Sequence, residues 1–135
     1  MMRRLAGMYF VIQAVAVVAW WAVLVAAPST QSYFTMRDAP FATLGSFAPG
    51  DLGLLALGSS VVGIRMGRGW TIYLAWAVSG ALLYAAGYTV TAAASGVSSP
   101  VGALLMVPAA LASIAASVTL SPHAPADTLS SSATP

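Results

Sequence analysis

Cysteine and lysine are both absent from this 135-residue chain, and only 6% of its residues are charged. Without cysteine there is no disulfide framework, no thiolate chemistry and no cysteine metal site, and the redox compartment goes unread. The shortage of charge excludes more. A soluble globular chain carries about a quarter of its residues as Asp, Glu, Lys or Arg, so five basic and three acidic residues cannot clothe a soluble domain of this length. The net charge of +2 comes from arginines grouped near the ends of apolar runs. That is a membrane-topology pattern, not a basic face for nucleic acid.

What the chain does have is apolar length: 59% of it is hydrophobic. A hydrocarbon core roughly 30 Å thick needs about 20 apolar residues per helical crossing, and four crossings with short links use up the sequence. The expected fold is all-α, a polytopic four-transmembrane-helix bundle over residues 1–120, with helices at about 5–27, 46–66, 70–94 and 100–120. The lipid bilayer is the expected surrounding, in a cell membrane of the bacterial inner-membrane kind.

The first run, Leu5 to Ala27, follows Arg3 and Arg4 and extends roughly 34 Å at 1.5 Å per residue. It is far longer than the apolar segment of a signal peptide, and Pro28 would stand just after a cut behind Ala27, so the run is expected to stay as an anchor. Pro28, Ser29, Thr30 and Gln31 stop it. The loop that follows carries Tyr33, Phe34, Phe41 and Phe47, rings suited to the headgroup layer of the outer surface.

Leu52 to Ile64 is the short run, roughly 20 Å, too little to span alone. Either its helix starts earlier, near Ser46 with Pro49 in the first turn, or its neighbours shield it. Arg65, Gly67, Arg68 and Gly69 then form the tip of a helical hairpin leading into the third run, Trp70 to about Ala94. The fourth, Pro100 to Leu120, opens after Ser98 and Ser99 with proline at its first position, and Pro108 within it predicts a kink. The segment from Ser121 onward is expected to be a disordered cytoplasmic tail. Arg3, Arg4, Arg65 and Arg68 fall on one side and Arg37 on the other, which predicts both termini in the cytoplasm. Trp20 and Trp21 then mark the outer end of the first helix, and Tyr84 and Tyr88 that of the third.

Few residues offer chemistry. Asp51 is the acid beside an apolar run, readable as a functional site or as a helix-capping carboxylate. Gln13 is a polar group at depth, expected to hydrogen-bond a neighbouring helix. Small residues recur every fourth position as Ser59, Gly63 and Gly67, as Ala77, Ala81 and Ala85, and as Ala109, Ser113 and Ser117. Such stripes let helices in lipid approach closely, within one bundle or across a dimer. His123 stands without a second ligand at metal spacing. No nucleophile–base pair, carboxylate pair or phosphate-cradling glycine loop can be assembled, so no catalytic, cofactor or metal residue is assigned.

Trp20 and Trp21 before Pro28, with Leu44, Gly45, Ser46, Phe47, Asp51, Leu52, Gly58 and Ser59, resemble the N-terminal membrane region of bacterial isoprenylcysteine carboxyl methyltransferase-like proteins, over about Gln13 to Leu120. The resemblance implies a free-standing accessory membrane module. It implies no methyltransferase, because that family's cofactor and catalytic residues belong to a later domain that nothing here matches. The expected function is a non-enzymatic structural or accessory module that packs with itself, as a homo-oligomer, or with a membrane-protein partner. The competing reading is a small-molecule transporter or channel. Four-helix multidrug exporters are similar in length and helix count, but they carry a coupling acid in the first helix, where this chain has Gln13.

Overall fold

A computed structural model describes residues 1–31 and 45–121; the aromatic loop around Tyr33 to Phe41, Arg37, His123 and the tail beyond Ser121 lie outside them. All regular structure among the described residues is helical. Helix α1 (Met2–Ala26) is followed by the single turn α2 (Pro28–Gln31). The next helix has three parts without a break: α3 (Ala48–Gly50), a π-helical segment (Asp51–Gly58) and α4 (Ser59–Arg65). Then come α5 (Thr71–Ala94) and α6 (Val101–Leu120). Helices α1, α5 and α6 are long and apolar enough to cross a membrane.

The composite helix begins at Ala48 with Pro49 in its first turn, where a missing N–H is harmless because no intrahelical acceptor waits for it. Its π-helical stretch is unusual. Such segments are rare, widen the backbone spiral and favour functional sites. At the far end of α5 the chain stops on Gly96, whose φ of 69° is the left-handed conformation that glycine adopts without a Cβ clash. Its N–H donates to the Ala93 carbonyl, and that of Val97 to the Ala92 carbonyl, each at 3.0 Å.

The helices alternate in direction. Gly7 lies against Gly63 and Met66, Gln13 against Ser59 and Trp21 against Asp51, so the composite helix runs antiparallel to α1 along its whole length. Ser79 of α5 meets Ser113 and Ser117 of α6, and Tyr9 of α1 reaches the Ala109 carbonyl of α6. The arginines Arg3, Arg4, Arg65 and Arg68 gather at one end of the bundle, where Arg3 Nη2 donates to the Leu120 carbonyl at 3.4 Å. Proline 108 is accommodated inside α6.

Side chains are not sorted as in a soluble bundle. Ser59, Ser113 and Ser117 are 0% exposed, whereas Ile64 is 74% and Leu104 71% exposed. The interior is filled by Ala75, Val78, Leu82, Ala86, Ala110 and Ala116 around Phe10 and Val62. Large apolar residues such as Ile12, Val15, Leu57, Leu83 and Leu111 point outward. Contiguous exposed apolar surface on this scale needs an apolar surrounding, and small residues inside are what helices packing in lipid require.

Candidate site: an aromatic cavity around Asp51

The end of the bundle opposite the arginines holds a cavity of about 400 Å³. Its floor is apolar: Leu55 belongs to the core, and Ala81 and Met106 pack against it. Its walls carry Trp20 and Trp21 from the last turns of α1, Phe47 from the entry to the composite helix, and Tyr84 and Tyr88 from the second half of α5. Ser46, Thr89, Ser98 and Ser99 line it as well. Gly50 and Gly102 line it where the composite helix and α6 begin.

Asp51 is the acid in this lining. It lies three residues inside the composite helix, so its own backbone is already helical, its N–H donating to the Phe47 carbonyl at 3.0 Å. The side chain reaches across to α1 instead of back to the helix start: Trp21 Nε1–H donates to Asp51 Oδ2 at 3.1 Å. Trp21 is buried, which fixes its indole and thereby one carboxylate oxygen. Phe47 and Tyr88 close another wall, their ring centroids 5.8 Å apart at 48°.

Gln13 Nε2 donates to Ser59 Oγ of the neighbouring helix at 2.9 Å. Its Oε1 is buried without a hydrogen-bond partner. Of the small-residue stripes, Ser59 and Gly63 are buried against α1 and Gly67 lies exposed at the hairpin tip. On α5, Ala81 and Ala85 are half-buried beside the cavity and Ala77 faces outward. The buried line of that helix runs through Ala75, Val78, Ser79, Leu82 and Ala86. On α6, Ser113 and Ser117 are buried and Ala109 is half-buried.

Sequence reasoning did not single out Ser79, Tyr9 or the pairing of Trp21 with Asp51. Ser79 Oγ lies 2.8 Å from Ser113 Oγ and 2.9 Å from Ser117 Oγ, a hydroxyl cluster that locks α5 to α6. The available signal for Trp21 was the antiparallel register: once Gln13 meets Ser59, a residue eight positions later on α1 falls beside one eight positions earlier on its partner. Among the described residues, no three of His, Cys, Asp and Glu converge to hold a metal. No family model, curated protein or solved structure matches this chain.

Proposed function

We propose that this chain is a small non-enzymatic integral membrane module that crosses the bilayer four times, with both termini in the cytoplasm. It acts by packing with itself or with another membrane protein. The observation that carries the membrane reading is the distribution of side chains: the hydroxyls of Ser59, Ser79, Ser113 and Ser117 are buried while large apolar residues such as Ile12, Ile64, Leu104 and Leu111 face outward. The composite helix shares it, since Leu52, Leu57 and Ile64 point outward while Ser59 and Val62 are buried. This supports a fourth crossing beside the three long apolar helices. The gathering of Arg3, Arg4, Arg65 and Arg68 at one end supports placing that end in the cytoplasm.

The native chain lacks cysteine, so single cysteines can be introduced without background. Ser29→Cys and Ser95→Cys should react with a membrane-impermeant maleimide on intact cells. Gly67→Cys and Ser130→Cys should react only in inverted vesicles. Labelling of Ser29→Cys and Gly67→Cys from the same side would remove the second crossing. The resemblance to the membrane region of isoprenylcysteine carboxyl methyltransferase-like proteins proposes a methyltransferase domain as the partner. Stoichiometric co-purification of the two from a membrane extract supports it.

A second reading, a small-molecule binding or transport protein, is favoured by the cavity and its carboxylate. Proton-coupled uptake of a solute by the purified protein in liposomes would select this reading over the accessory one.

A further inference from the structure

We infer that the cavity at the Asp51 end is a binding site for a monovalent organic cation, a quaternary or protonated amine bearing an apolar group. The inference rests on the small-molecule binding reading and names its ligand class.

Size comes first. At about 400 Å³ the cavity lies in the range of small-molecule sites, roughly 300–1,000 Å³, and its apolar floor suits a hydrocarbon or aryl group. Charge comes second. A carboxylate facing apolar walls has given up much of its hydration, and a cation restores that loss where a neutral guest cannot. Trp21 supplies one hydrogen bond and holds the carboxylate still, while a carboxylate accepts about four. The described arginines are at the other end of the bundle. Gly102 borders the cavity and Leu120 receives the Arg3 contact, and Leu120 lies 18 residues further along α6, roughly 27 Å of helix.

The walls supply the third argument. Trp20, Trp21, Phe47, Tyr84 and Tyr88 border the same space, and the negative faces of aromatic rings attract a diffuse positive charge, most strongly where water is excluded. A metal ion fits poorly, because hard cations seek six or more oxygen ligands with several carboxylates among them, and Asp51 is the one carboxylate among the described lining residues, the other oxygens being neutral hydroxyls and backbone carbonyls. An anion would meet the Asp51 charge. The π-helical segment that begins at Asp51 is the kind of backbone irregularity found where a helix serves a site.

The test uses the full chain in lipid nanodiscs, with phenyltrimethylammonium as the cationic probe and tert-butylbenzene as its neutral isostere, read by tryptophan fluorescence and calorimetry. Saturable binding of the cation at least tenfold tighter than the isostere is expected. Asp51→Asn, which keeps an acceptor for Trp21, should lower cation affinity at least tenfold and leave the isostere unchanged. Ala81→Leu, which fills the floor and keeps the acid, should weaken both probes. Equal binding of the two probes, or cation binding insensitive to Asp51→Asn, would overturn the cation assignment and leave the binding reading standing. Saturable binding of neither would overturn both. Cation binding seen only in Arg37→Gln would also overturn the assignment, since it would make Arg37 the native partner of Asp51.

Discussion

Gly63 of α4 and Gly7 of α1 meet so closely that a Cβ built on Gly63 would lie 3.0 Å from the Gly7 carbonyl oxygen, 3.2 Å from the Val11 nitrogen and 2.5 Å from Val11 Cγ2. Two of those three neighbours are backbone, which cannot move aside without separating the helices. A Cβ on Gly7 would press on the flexible end of Met66, while the Gly63 carbonyl oxygen lies at an ordinary contact distance of 3.6 Å. The two glycines of one crossing therefore differ in tolerance. Gly63→Val should lower stability by about 1–3 kcal/mol, the usual cost of overpacking, and Gly7→Ala by less. Gly67→Val, with nothing within 4 Å, should pack without a clash. Unfolding of purified protein in mixed micelles by increasing dodecyl sulfate measures all three.

The Ser79 cluster offers a cleaner case of polar packing. One hydroxyl serves two partners, Ser113 and Ser117. Hydrogen bonds between helices in membrane proteins contribute about 0.6 kcal/mol on average and up to about 1.7. Ser79→Ala should accordingly cost about 1 kcal/mol. A double-mutant cycle of Ser79→Ala with Ser113→Ala should show positive coupling, and additive effects of the two changes would mean that the Ser79–Ser113 bond contributes nothing.

Gln13 should prove less costly to lose than its depth suggests. Its amide makes one bond to Ser59 and leaves Oε1 without a partner, a penalty already present in the native state. In Gln13→Leu that penalty disappears. The Ser59 hydroxyl can then turn back to the carbonyl one turn earlier, as Ser60 does to Ala56 at 3.0 Å. We expect a change below about 1 kcal/mol, since exchanging a polar pair for apolar packing is nearly neutral. A loss above that range in the same unfolding assay would point to a further role for the amide.

Asp51 and Trp21 separate hydrogen bonding from charge. Asp51→Asn keeps an oxygen for the indole and should alter stability by less than about 1 kcal/mol. Asp51→Leu strands the indole N–H of a buried tryptophan and should cost about 1–3 kcal/mol. Trp21→Phe combined with Asp51→Leu removes both partners and should recover part of that loss. Thermal unfolding followed by circular dichroism distinguishes these outcomes from a uniform loss across all three variants.

Chain length, apolar runs and arginine positions determined the helical, membrane-adapted character of this protein, because hydrophobic length and charge asymmetry are properties of consecutive residues. Polarity inside an apolar segment likewise marked Gln13 as a candidate interhelical contact, whereas Ser59 was readable only as a small residue of a packing stripe. Pro49 in a first helical turn was one of two readings the sequence left open, since proline's missing N–H suits that position. The rest depended on contacts between segments far apart in sequence. Periodicity places Ala77 and Ala81 on one α5 stripe, yet packing against α6 turned the buried line to Ser79 and sent Ala77 outward. The π-helical stretch shifts the register of the composite helix, which no local propensity announces. Only the tertiary structure brought Asp51 of that helix, Trp21 of α1 and Tyr84 and Tyr88 of α5 around one cavity. Asp51 faces aromatic rings there because the antiparallel register of α1 and its neighbour sets the Trp21 indole within reach of its carboxylate.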